Sequence, residues 1–279
     1  MSNKSKIVSL IIKWSILIVV LAFIYLPLIM IVAYSFSGAR SVGGDFGNFT
    51  FNLYIKLFRN RQLLSALKNT LVIGLVSATL ATLIGTTAAV GIHYMRKKTQ
   101  AVVDAASQIT VVNAEIVTAM SFFLFIIFLR DMIHIPVKFG LWWLIIAHTV
   151  ITTPYVILTV SPRLKQLNPN LLEASMDLGA GPMRSLLSVM FPQLAGAMVS
   201  GFALAFTLSL DDFVVTHINS SGATGLETIS TYVYNGLAKG GIKSEIRALS
   251  TIIFIVVLLV LIIYNVWKIK KEKQAKKAK

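Results

Sequence analysis

Six stretches of the chain, 14–34, 70–94, 105–129, 139–162, 185–210 and 248–267, each run for 20 to 26 residues without a lysine or arginine. About 20 apolar residues in a helix cross a hydrocarbon core of about 30 Å. Lipid offers no partner to a bare peptide group, so each stretch must be helical. The pattern predicts an all-α, polytopic membrane protein with six transmembrane helices. Composition agrees, with 56% of residues hydrophobic and 13% charged, against about 25% charged in a soluble domain. The absence of Cys excludes disulfides, thiolate-bound metal and thiol nucleophiles.

The net charge of +15 would suggest nucleic acid in a soluble protein. Here the basic residues flank the apolar stretches and orient them in the bilayer, so no nucleic-acid partner is expected. Lys4, Lys6 and Lys13, Arg96, Lys97 and Lys98, Arg163, Lys165 and Arg184, and the seven lysines from Lys268 to Lys279 supply sixteen of the 26 Lys and Arg. These segments alternate along the chain, which predicts both termini, the 95–104 loop and the 163–184 loop on the cytoplasmic side. The first stretch is too long for a signal peptide, lacks a small-residue cleavage site, and reads as a span. The lysine-rich tail, 268–279, reads as an anchor beside anionic lipid.

Helices in lipid associate where small residues let backbones approach. The second span carries two such rows, Ser77, Ala81, Gly85, Ala89 and Gly74, Ala78, Thr82, Thr86. The fifth carries Ala197, Gly201 and Ala205, flanked by Gly196 and Ser200. Both helices are expected inside the bundle.

Glu115 falls near the middle of the third stretch, where an ionised carboxylate costs about 2.5–3.5 kcal/mol on insertion scales. Either it lines a solute pathway, or it is neutral or hydrogen-bonded to a neighbouring helix. Asp211 and Asp212 form a tandem pair at the end of the fifth span, as a solvated helix end or as part of the same pathway. His148 reads as a satisfied core histidine. No His, Asp and Glu residues stand at metal-ligand spacing, no Ser, His and Asp form a nucleophile motif, and the 236–244 segment interrupts a phosphate loop with Ile242. No enzyme chemistry and no cofactor are expected in this chain.

The cytoplasmic loop between the fourth and fifth spans is not polar filler. Asn168 suits an N-cap, Pro169 the first helical position and Gly179 the stop, which predicts a helix of about ten residues. Leu171, Ala174, Ser175 and Leu178 would share one face, with Leu172 and Met176 adjoining, and Glu173 and Asp177 another. Too short to span, it is a surface knob suited to docking a partner protein.

The run Glu173-Ala174-Ser175-x-x-x-Gly179, nine residues, then Val189-x-Phe191-Pro192 resembles the EAA loop of type I ABC importer permeases, E-A-A-x3-G-x9-I-x-L-P. Ser175, Val189 and Phe191 depart from it conservatively. From about residue 8 to 265, with Asn69-Thr70-Leu71, Glu115-Ile116-Val117, Ser209-Leu210-Asp211-Asp212-Phe213 and Ala248-Leu249-Ser250-Thr251, the chain is similar to C-type permeases of spermidine/putrescine (polyamine) importers. Such subunits usually carry proline before the mid-span glutamate. Ala114 stands there instead, which removes the usual cause of a local helix break.

The resemblance implies an ABC transporter type I transmembrane domain over 65–267, preceded by a tail, span and extracellular loop over 1–64. It implies a paralogous permease as heterodimer partner, two ATPase subunits that bind the ATP, and an extracellular substrate-binding protein. Glu173, Ala174, Ser175, Asp177, Gly179 and Pro192 would couple to the ATPase. Glu115, Asp211, Asp212 and Tyr155 would line the polyamine pathway, with Trp142 and Trp143 either beside them or in an interfacial belt. Permeases for iron, sulfate or phosphonate share the inner loop, but anion pathways favour Arg and Lys. A stand-alone secondary carrier should show inverted repeats, and none is evident.

Overall fold

The computed structural model describes residues 3–39, 42–113, 115–168, 170–220, 226–239, 241 and 243–277. Among these every regular element is helical: α1 (Asn3–Ser35), α2 (Asn52–Arg59), α3 (Arg61–His93), α4 (Lys97–Val112), α5 (Glu115–Asp131), α6 (Leu141–Gln166), α7 (Leu171–Asp177), α8 (Pro182–Ser185), a π-helical turn (Leu186–Met190), α9 (Phe191–Asp211), α10 (Val214–Asn219), α11 (Ile229–Ala238) and α12 (Glu245–Lys277). Five helices are long and apolar enough to cross a membrane, and α4 with α5, bent by 101°, pass the same test only when taken together as one broken span. The chain divides into two compact units, residues 65–235 and residues 1–64 with 236–279.

Among the long apolar helices of the first unit the most buried is α6, with 56% of its most apolar window covered against 44% for α3 and 22% for the run Pro182–Asp211. The small residues explain why. All eight residues of the two α3 rows are buried. A Cβ on Gly85 would lie 2.8 Å from the Val156 Cβ, and one on Gly201 3.2 Å from the Val156 Cγ1. Thus α3 and α9 reach α6 from two sides at Val156, itself fully buried. The expectation for the fifth span holds for half its circumference: Gly201 and Ala205 are buried, while Gly196 and Ser200 are exposed. Among the described residues of this unit no helix covers that second face of α9.

The third stretch is not one straight helix. Asn113 closes α4 in an extended conformation (φ −67°, ψ 144°), and α5 starts at Glu115; Ala114 lies outside the described residues. A proline is therefore not needed for a break at this point. Glu115 becomes a first-turn residue, where free N–H groups and the helix dipole favour a carboxylate, instead of a mid-helix charge.

In the second unit α1 and α2 both pack on α12. The Ser35 hydroxyl meets the Tyr54 hydroxyl at 2.8 Å, Asn60 Nδ2 donates to Glu245 Oε1 at 2.9 Å, and Arg247 Nη2 donates to the Ala39 carbonyl at 2.6 Å. Ser37 pairs with Phe49 in a lone antiparallel bridge.

Candidate functional site

Two places in the 65–235 unit gather the residues singled out by sequence. The first is a chamber of about 170 Å³ between α4, α5, α6, α9 and α10. Glu115, Tyr155, Asp211 and Asp212 all line it, together with Thr110, Asn113, Thr118, His148, Thr152 and Ser209. Among the described residues no Lys or Arg lines it. Glu115 and Asp211, 96 positions apart, thus share one chamber because α5 begins, and α9 ends, at its wall.

The tandem pair is split in use. Asp212 caps the first turn of α10: Oδ1 accepts the Val215 N–H at 3.2 Å, and Oδ2 accepts the Thr216 N–H and hydroxyl, both at 2.9 Å. Asp211 is the exposed last residue of α9, where the carbonyl end of the helix dipole adds to its negative charge. The pair therefore offers one committed carboxylate and one open to the chamber.

His148 lies 3% exposed in α6. Its Nδ1 is 2.7 Å from the Ser209 hydroxyl and its Nε2 3.0 Å from the Thr216 hydroxyl. Thr216 spends its own proton on Asp212, so the fitting tautomer donates from Nε2–H and accepts from Ser209 at Nδ1. Ser209 in turn meets the Ser77 hydroxyl at 3.2 Å. A polar chain thus runs from α3 through α9, α6 and α10 to Asp212. His148 is a satisfied buried histidine and also a chamber wall, a double position that its sequence neighbours do not betray. Asn219, fully buried, ties α10 down by donating to the Ala119 carbonyl at 3.0 Å and accepting from Trp143 Nε1 at 3.1 Å. Trp143 is therefore spent on packing, and Trp142 is 75% exposed; neither lines the chamber.

The second place is the inner loop. α7 begins at Leu171, later than expected, because the Asn168 side chain accepts the Asn170 N–H at 3.0 Å in an Asx turn ahead of the helix; Pro169 lies outside the described residues. Its stop is as read: Gly179 has φ +88°, its N–H bonds to the Met176 carbonyl at 2.9 Å, and Ala180 N–H to the Ser175 carbonyl at 3.2 Å, the paired bonds of a Schellman ending. The helix is rotated from the expected face. Leu172 turns inward onto the cluster of Val160, Leu164 and Met190, and Ser175 donates to the Ser185 hydroxyl at 3.0 Å. Glu173, Ala174 and Asp177 face out, and Leu178 is 90% exposed.

Pro192, in the first turn of α9, directly follows the π-helical turn. It has no N–H for the 188 carbonyl and its ring crowds that group; Phe191 N–H bonds instead to the Leu186 carbonyl, five residues back. The proline of the loop motif thus coincides with a local rewinding of the helix that joins α8 to α9.

Residues 81–268 match the family described as "Binding-protein-dependent transport system inner membrane component". The chain is 33% identical over 238 residues to the spermidine/putrescine transport system permease protein PotC of Haemophilus influenzae, covering 85% of this chain and 89% of that one. It is also 33% identical over 244 residues to the putrescine transport system permease protein PotI of Escherichia coli K12, covering 86% and 85%. Among solved structures it resembles a chain of a bacterial alginate ABC transporter in complex with an alginate pentasaccharide-bound periplasmic protein, with TM-score 0.73 and 18% identity over 94% of this chain and 93% of that one. It resembles the MetNI methionine ABC transporter with TM-score 0.52 and 21% identity, over 74% and 91%. By its apolar helices, its inner loop and these matches, the chain is a multi-pass membrane protein that belongs to the binding-protein-dependent transport system inner membrane components, the permease subunits of type I ABC importers.

Proposed function

We propose that this permease subunit forms half of the translocation pathway of an ATP-driven polyamine importer, with spermidine or putrescine as cargo. The observation that carries the reading is the chamber. Glu115, Asp211 and Asp212 line it with Tyr155 and, among the described residues, without a Lys or Arg, a lining suited to a flexible polycation and unsuited to sulfate or phosphonate. Ammonium groups exchange water for a few carboxylates and an aromatic face, contacts weak and numerous enough to be left again. Glu115, Asp211 and Tyr155 would meet the solute, while Asp212, occupied by α10, positions the wall. The names of the relatives from H. influenzae and E. coli support the same substrate class.

Family membership supports the rest of the proposed machine. A paralogous permease completes the pathway around a common axis. A binding protein delivers the cargo from outside, and two ATPase subunits, which hold the ATP, grip Glu173 through Gly179 from the cytoplasm, where both termini also lie. Closure of the ATPases would rock the packed helices as rigid bodies and alternate access to the chamber. The family is one of transport components, not of enzymes.

The test is uptake of radiolabelled spermidine, with putrescine competing, by proteoliposomes holding the assembled complex. ATP-dependent accumulation abolished by omitting the ATPase is expected. Accumulation without any ATPase, or ATPase activity indifferent to polyamine-loaded binding protein, would overturn the reading.

A further inference from the structure

α2 has three faces, not two. Leu53 and Leu57 are buried. A second apolar row is exposed: Phe51 at 57%, Ile55 at 49% and Phe58 at 67%. Asn52, Lys56 and Arg59 make a third, polar and cationic row, also exposed. At 100° per residue these rows point about a third of a turn apart. An exposed row of large apolar side chains, next to a cationic row, is costly in plain water.

The helix is pinned at both ends to the ends of membrane spans. At its start the Tyr54 hydroxyl meets that of Ser35, the last residue of the α1 span, at 2.8 Å, and Phe36 lies 5.2 Å from Tyr54 and stacks on Phe49 at 5.4 Å. At its finish Asn60 bonds Glu245, the first residue of the α12 span. Two spans that meet the surface at these residues leave α2 at that same surface, running between them and along it. The apolar face of α1, with Phe23 83% and Ile29 63% exposed, lies in lipid, and the Phe51, Ile55 and Phe58 row continues an apolar exterior to its end.

We infer that α2 is an interfacial helix: its exposed row of Phe51, Ile55 and Phe58, with Phe49 beside it, is seated at the boundary of headgroups and acyl chains, and Lys56 and Arg59 reach the lipid phosphates. Aromatic rings favour this boundary, and cationic stems snorkel from it to anionic groups. The loop would thereby fix the depth of α1 and α12 in the bilayer. Its occupant is lipid, not the delivery protein or a second permease.

The chain has no native Cys, so single cysteines report cleanly in a complex whose other subunits carry no reactive thiol. Phe58→Cys and Ile55→Cys on the apolar row, and Lys56→Cys on the cationic row, would each carry a nitroxide in the assembled complex in lipid nanodiscs. Collision rates with oxygen, which partitions into lipid, and with a water-soluble nickel chelate are then compared. Labels at 55 and 58 should collide more with oxygen than with nickel, and the label at 56 the reverse. Nickel access at 58 equal to that at 56 would overturn the inference by leaving the row in water. Shielding of 55 and 58 from both reagents would overturn it in favour of a protein partner.

Discussion

The chamber and the inner knob lie in the same compact unit and were both marked by acidic residues in the sequence, yet they are finished to different degrees. Around the chamber the polar groups of four helices satisfy one another: Ser77, Ser209, His148, Thr216 and Asp212 form one connected chain. On the knob only the inner side is completed, by Leu172 and by the Ser175 to Ser185 bond, while Leu178 stands 90% exposed. Under the proposed function, the chamber is a wall that must hold its shape while solute comes and goes, and so closes its own hydrogen bonds and leaves a few carboxylates free. The knob, on the same proposal, is a surface that another protein completes, and so leaves its anchor bare.

The sharpest way to break this contrast is Gly179→Asp. Its φ of +88° strains any side chain, and among the described residues no atom beyond its two chain neighbours stands within 4 Å of the added Cβ, so damage to this chain alone should stay near 1–2 kcal/mol. Transport in the assembled complex should fall about a hundredfold, as for loss of an interface anchor, with ATPase activity uncoupled or the ATPase detached in pull-down. A fully active complex would show that the knob is not an incomplete surface. Next, Glu115→Gln should slow polyamine uptake about tenfold, the worth of one charge-assisted hydrogen bond, with assembly and binding-protein-stimulated hydrolysis kept. Unchanged uptake kinetics would remove Glu115 from the pathway.

The tandem acids give the finest division. Asp212→Ala should cost about 1 kcal/mol by unmaking the α10 cap, read as a lower melting temperature of the detergent-solubilised complex. Asp211→Ala should leave that temperature unmoved and slow uptake only. Equal thermal effects would erase the distinction between committed and free carboxylates. The smallest effect is expected of Thr118→Ser at the chamber wall, which keeps the hydroxyl and should change uptake by less than about twofold.

Much of this was legible in the sequence. Apolar runs of bilayer length dictate helices because lipid tolerates no other closure of backbone bonds. The small-residue rows of α3 foretold its burial because close backbone approach is the main glue between such helices. Gly179 foretold its own positive φ because only glycine takes that conformation freely. These are local properties, fixed by a residue and its neighbours along one helix.

What only the tertiary structure decided are matters of who stands opposite. Sequence placed Glu115 in mid-helix with no breaker beside it, whereas the chain turns at Asn113 and lifts the carboxylate onto a helix start. Asp211 and Asp212 are adjacent and chemically alike, and their separation into free and bound depends on whether Thr216 and His148 fold back within reach. The inward face of α7 likewise depends on where Leu164 and Met190 lie. A residue's type and its place in a periodic pattern set its own solvation and backbone preferences. Its partners come from helices far along the chain, and their positions are settled only when the bundle packs.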